Sequence, residues 1–391
     1  MTIRTSSQSS FAVGGEFQIK AGVEVTYSED IYNSVTGLTS GGFVVTWQAS
    51  NQDGNRGGIY GQRFDAPGAV DGGEFLINTT TDDNQIFPSV TALDDGGFVV
   101  TWESFDQDGD QGGVYGQRYA GSGAVVGGEF LINTRIGNDQ GSPSVTALND
   151  GGFVVTWQSL GQDGDNFGIY GQRYDAFGAV DGGEFQINTT NDGGQTHSSV
   201  TALNGGGFVV TWESTHSGGD DGGVYGQRYD AFGAIVGGEF RINATTNVTD
   251  YFPFVTGLTS GGFVVAWQSR NQDSDGFDIY GQRYDSVGTV DGGEFRINDQ
   301  TQGVQSHPSM TALDDGGFVV TWNSNETGGD YRHIYGQRFD ASGAVVGGGF
   351  RINKATNDEH VGPSNDDLAY PSLDALTDGQ FCGYLAAVKT S

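Results

Sequence analysis

Along most of the chain, short apolar runs alternate with polar, glycine-rich turns a few residues long. The clearest run is Phe43-Val44-Val45-Thr46-Trp47, entered through Gly41-Gly42 and left through Gln48. The same Gly-Gly-Phe-Val-Val pattern starts again at Gly96, Gly151, Gly206, Gly261 and Gly316, always 55 residues on. All six Trp of the chain stand at the same place in it: Trp47, Trp102, Trp157, Trp212, Trp267 and Trp322. A fixed period of this size marks a supersecondary unit repeated in tandem.

The second copy shows what one unit contains. Phe87 to Leu93 reads as a short strand, and Asp94-Asp95-Gly96-Gly97 as a tight turn with glycine supplying positive φ. The run Phe98 to Trp102 is apolar almost throughout, which predicts a strand covered on both faces. A polar loop, Asp106 to Gly113, precedes a third strand, Val114 to Tyr119, and a glycine-rich turn precedes a fourth, Glu129 to Asn133. Four short antiparallel strands in tandem copies of about 50 residues predict the blades of an all-β propeller.

The chain ends carry fragments of the same unit. Gly14 to Ile19 matches a fourth strand, and Tyr370 to Phe381 matches the first two. The pattern therefore predicts one propeller domain over residues 1–391. It would hold six full 55-residue repeats plus a seventh blade split between 1–20 and about 354–391. N- and C-terminal half-blades paired in this way would close a seven-bladed ring and remove its exposed edges.

Composition agrees with an all-β chain: 68 Gly among 391 residues, only 7 Pro, with 25 Phe and 16 Tyr. The net charge of −32 disfavours nucleic acid and anionic membrane surfaces as partners, and favours cations. The single Cys382 excludes an internal disulfide framework, and it stands where a repeat has Val99. No segment predicts membrane insertion, and the N-terminus lacks the apolar core of a classical signal peptide.

The segments Gly-Gly-Phe-Val-Val-Thr-Trp, Ile-Tyr-Gly-Gln-Arg-Tyr-Asp and Gly-Gly-Glu-Phe-Gln-Ile-Asn resemble tandem repeats of large bacterial secreted and cell-surface proteins. Many of those are calcium-binding and adhesin-like. The resemblance spans essentially the whole chain and implies an extracellular or cell-surface location. The glycine-aspartate nonapeptide runs typical of many such proteins are absent here.

Comparison of the copies separates frame from candidate chemistry. Tyr60-Gly61-Gln62-Arg63 and Glu74 recur in nearly every unit, which assigns Arg and Glu to ties between strands or blades. The loops after the second and fourth strands vary, and in a propeller both open on one face. Asp106, Asp108 and Asp110 form an Asp-x-Asp-x-Asp run there. Asp53 with Asn55, Asp163 with Asp165, and Asp273 with Asp275 are sparser versions. Oxygen ligands two residues apart suit Ca²⁺, and solvated acidic turns share the same composition.

Before each first strand stand Tyr32, Phe87, Ser142, His197, Phe252, His307 and Tyr370, six of them ring-bearing. In a propeller they circle the mouth of the central channel, where ring faces can stack on a sugar or on each other. No nucleophile–base motif or phosphate loop is present, so no catalytic residue is assigned. The least symmetric pieces are His216, Arg332-His333 and the insertion holding Asp358, Glu359, His360, Asp366 and Asp367.

These features lead to the expectation of a non-enzymatic, extracellular binding module. It would attach multivalently to a glycan or other cell-surface component through the variable-loop face, with Ca²⁺ as a possible aid. A structural scaffold or spacer is the alternative, and a hydrolase or lyase of acidic polysaccharides comes third.

Overall fold

In the computed structural model each period folds into four antiparallel strands, and these sheets stand around a central channel. The structure describes residues 32–352 apart from 51, 53, 216–221, 247, 271, 273–275 and 326–332. At the chain ends it describes Thr2–Ser6, Phe17–Gln18, 371–375 and Phe381–Leu385. Blades one to six occupy 33–76, 85–131, 140–186, 194–241, 250–296 and 305–351.

Within a blade the strands run from the channel outward in sequence order. In blade two they are Gln85–Ala92, Phe98–Phe105, Gly112–Tyr119 and Val125–Leu131. The second strand is dry on both faces, as its apolar run predicts. Val44, Ile59, Val100 and Trp102 fill the space between blades one and two, while Val99 turns to blade three. Neighbouring strands stack aromatic rings, Phe98 on Tyr119 at 4.8 Å and Phe153 on Tyr174 at 4.6 Å. The third strand needs glycine because a Cβ on Gly116 would lie 2.8 Å from the Phe130 ring.

The recurrent charged residues join blades. Glu129 accepts the Thr79 N–H at 2.6 Å from the blade before it, and Glu184 accepts that of Thr134 at 2.7 Å. Arg118 and Arg173 reach forward to Ala176 O and Ala231 O in the next blade. The innermost strands are linked by side chains. Val90 N donates to Ser34 Oγ at 3.1 Å, and Val145 and Val200 repeat the bond to Ser89 and Ser144.

The expected count of seven blades needs correction. Among the described residues, blades built of four strands consecutive in the chain number six, with no half-blade of the same build. The chain ends instead contribute a further sheet of short strands, Phe17–Gln18, Thr2–Ser6, Phe381–Leu385 and Ser372–Ala375 in that order. The described parts of those strands are two to five residues long. The physical reason lies in the sequence, because no Trp is left for this unit and Cys382-Gly383 stands within its apolar run. Ser372–Ala375 lies between the inner strands of blades one and six. Ser372 Oγ accepts Val35 N at 3.1 Å, and Asp374 accepts Gly37 N at 2.8 Å and the Thr311 hydroxyl at 3.4 Å.

Among the described residues no helix is long and apolar enough to cross a membrane. Trp157 is fully buried between blades, whereas Phe177 projects from a turn and is 89% exposed. Trp157→Ala should therefore lower unfolding free energy by about 3–5 kcal/mol, and Phe177→Ala by about 0.5 kcal/mol at most. Chemical denaturation of both variants checks this; equal losses would show that the inter-blade layer is not what holds the ring.

Candidate active site at the rim of the central channel

The rim is shaped by a defect repeated in five inner strands. The pairing of first and second strands slips between Ile86 and Ser89, and at the matching place in blades three to six. At each slip a residue adopts positive φ: Phe87 (54°), Ser142 (51°), His197 (53°), Phe252 (49°) and His307 (55°). Such a conformation is unfavourable for residues with a Cβ, and bulges of this kind re-aim a side chain. Here they turn the five side chains to the channel mouth, where all five line a cavity of about 400 Å³.

Over the described part, rings stand around the channel mouth. Tyr32 meets Phe87 edge-on at 4.2 Å, His197 meets Phe252 at 4.4 Å, and Phe252 meets His307 at 4.7 Å. Ser142 leaves a gap between Phe87 and His197. Tyr370 lies outside the described residues.

The backbone N–H of each aimed residue is held by a side chain from the preceding blade, the residue just after its Trp. Phe87, His197 and His307 are held by the amide oxygens of Gln48, Gln158 and Gln268. Two blades use a carboxyl group instead: Glu103 accepts Ser142 N at 3.0 Å, and Glu213 accepts Phe252 N at 2.8 Å. An amide and a carboxylate do this holding task equally well, so two buried acids in a six-fold frame require another explanation.

Glu103 is 4% exposed and stands directly behind the Ser142 gap. Burial, with the Asp139 charge beside it, pushes its carboxyl up to about 8. Asp139 precedes the inner strand of blade three, and burial raises its carboxyl too. A methyl group on Gly112 would lie 2.4 Å from Asp139 Oδ1 and 3.1 Å from Glu103 Oε1, so the two groups share one pocket. A Cβ on Gly141 would be only 1.8 Å from Glu103 Oε2, which makes room for the acid a glycine-only position. Among the described residues the positions matching Asp139 hold Asn84, Gly194, Thr249 and Val304, so there this acid pair occurs in a single blade junction.

Glu213 forms a second centre. Its Oε1 lies 3.0 Å from His197 Nδ1 and accepts the Thr196 hydroxyl at 2.9 Å. The Glu213 side chain is 8% exposed, the His197 ring 39%.

The Asp-rich loops are organised by hydrogen bonds to neighbouring backbone. Asp110 accepts Asn138 N and Asp165 accepts Gly193 N, each at 3.0 Å. Asp108 and Asp163 accept the N–H two residues on, both at 3.3 Å, and Asn55 accepts Arg56 N at 2.9 Å. Asp106 has φ 57° at the start of its turn. Asp53, Asp273 and Asp275 lie outside the described residues, as do His216, Arg332 and the 358–367 insertion. Among the described residues no three His, Cys, Asp or Glu gather as a metal-binding group. The acids at the rim escaped sequence assignment, although the residue after each Trp (Gln48, Glu103, Gln158, Glu213, Gln268, Asn323) carries the signal in plain view.

No protein-family model and no curated protein sequence matches the chain. Solved structures do match in shape. A protein of unknown function from Dyadobacter fermentans is 13% identical over 79% of this chain and 94% of its own, with a TM-score of 0.56. The Penicillium chrysogenum α-L-arabinanase, solved with arabinobiose, is 15% identical over 78% and 94%, with a TM-score of 0.52. The NanB sialidase of Streptococcus pneumoniae is 9% identical over 80% and 68%, with a TM-score of 0.54. At these identities the likeness is one of fold, and it places the chain among β-propellers. The expectation of a non-enzymatic module is corrected here, because the similar propellers include an arabinanase and a sialidase.

The Glu103 environment predicts a pH-dependent stability. The folded protein holds this proton up to about pH 8, whereas an unfolded chain releases it near 4.5. Stability from this group is thus complete below about pH 4.5 and lost as pH rises to 8. Glu103→Gln copies the residue of three other blades and has no proton to lose. Relative to the unmodified protein it should gain on the order of 4 kcal/mol between pH 4.5 and 8.5. Denaturant midpoints at both pH values test this, and a pH-independent difference would show Glu103 to be an ordinary carboxylate.

Proposed function

We propose that the protein is a glycoside hydrolase acting on a neutral polysaccharide at the rim of its central channel. The observation that carries this reading is the Glu103–Asp139 pair, set in one blade junction beside a rim of rings. Cleavage of a glycosidic bond needs a carboxyl group that keeps its proton at neutral pH to give to the leaving oxygen. Glu103, held near 8 by burial and by Asp139, supplies that group. Phe87, Tyr32 and Phe252 offer ring faces and edges on which apolar sugar faces can rest.

Charge selects within the polysaccharides. The chain carries −32 overall, so uronate chains would be repelled. Neutral pentosans and hexosans meet no such barrier. A cavity of about 400 Å³ falls in the range of small-ligand sites and suits a short stretch of sugar rather than a folded partner. An enzyme for polysaccharides would work outside the cell, in keeping with the secreted proteins its repeats resemble.

The test is release of reducing ends from neutral polysaccharides (arabinan, xylan, galactan, β-glucan) set against polygalacturonate and alginate. The unmodified protein should cleave at least one neutral polymer and neither acidic one. Glu103→Gln should lower kcat by about 10²–10⁴-fold, the usual worth of a positioned proton donor. Preferred cleavage of an acidic polymer, or full activity of the Gln variant, would sink the reading.

A further inference from the structure

The second buried acid, Glu213, is unused by the reading above, and it faces a group that can move protons. Five things meet at this point of the rim. His197 takes positive φ at the bulge, which turns its ring to the channel mouth. Its backbone N–H is fixed by Gln158 at 3.3 Å. Its Nδ1 lies 3.0 Å from Glu213 Oε1. Thr196 and the Phe252 N–H pin the two Glu213 oxygens at 2.9 and 2.8 Å. The Phe252 ring closes the other side at 4.4 Å.

A carboxylate can only accept, so Nδ1 carries the hydrogen and donates it, and Nε2 is left with a free lone pair. The His197 ring lines the channel mouth and is 39% exposed, while Glu213 is nearly dry. His307 shares the rim position, but Asn323 stands in its blade where Glu213 would be. The dyad is therefore confined to blade four, one rim position along from the Ser142 gap and Glu103.

We propose that His197 is the general base of the proposed hydrolysis and that Glu213 is its positioning residue. This inference rests on the hydrolase reading. Water attacks the anomeric carbon and gives its proton to His197 Nε2. The bond from that carbon to the leaving oxygen breaks as Glu103 gives its proton to that oxygen. The products are two free sugar ends, an imidazolium and a carboxylate, and proton exchange with solvent restores both groups. Direct displacement by water inverts the anomeric carbon.

Variants that other blades already contain keep the test clear of folding defects. Phe stands at the His197 position in blades two and five, and Gln at the Glu213 position in blades one, three and five. His197→Phe should lower kcat by about 10²–10⁴-fold with KM little changed. It should also abolish the acidic limb of the pH–rate profile and leave the alkaline limb in place. Glu213→Gln should lower kcat less and shift that acidic limb, and Glu213→Asp should restore part of the loss. Magnetic resonance of the first product should show inverted anomeric configuration. A fully active His197→Phe beside an inactive Glu103→Gln, or a retained anomer, overturns the assignment while the hydrolase reading stands. Failure of the unmodified protein to cleave any polysaccharide defeats both.

Discussion

Every blade leaves its innermost strand with one edge unpaired, and the whole ring depends on how those edges are satisfied. A bare row of N–H groups along a channel would be both costly and sticky. The answer is a side-chain ladder, in which Ser34 takes Val90 N–H, Ser89 takes Val145 N–H, and Thr36 takes Ala92 N–H. The same spacing carries the ladder to the chain ends, where Ser372 and Asp374 hold Val35 and Gly37. Asp374 stands where six copies have Thr, and its buried carboxyl, raised by desolvation, bonds to both flanking blades.

Because the ladder fixes the inner strands, those of blades two to six carry a bulge at their upper end without losing register. The bulge forces one residue in each of blades two to six into positive φ, and the residue after the Trp of the preceding blade holds it there. The frame thus offers equivalent rim places and tolerates different chemistry at each. Most hold rings and amides. At Glu103, where a carboxyl replaces the amide, low exposure and the Asp139 charge raise proton affinity, and repetition gives way to a local asymmetry. Glu103 with Asp139, and Glu213 with His197, are two different outcomes of one substitution in the repeat.

Much of this was legible in the sequence. The 55-residue period, the four strands per unit, the doubly covered Phe-Val-Val-Thr-Trp strand and the ring-bearing rim all follow from spacing and apolar pattern. The blade count was not, because matching fragments at Gly14 and Tyr370 say nothing of whether the two ends build a blade of the same kind. The Asp-x-Asp loops stood out in the sequence by composition, yet Asp110 and Asp165 spend an oxygen on the next loop's backbone.

What the sequence determined by itself was the frame: repeated local patterns dictate repeated local structure, since turn chemistry and strand burial act over a few residues. The tertiary structure alone decided the site. Glu103 and Asp139 are 36 positions apart and Glu213 is 39 residues from the Phe252 it holds, so neither relation exists until blades pack. The raised carboxyl of Glu103 has the same origin. Proton affinity depends on what surrounds a group, and its surroundings come from the neighbouring blade.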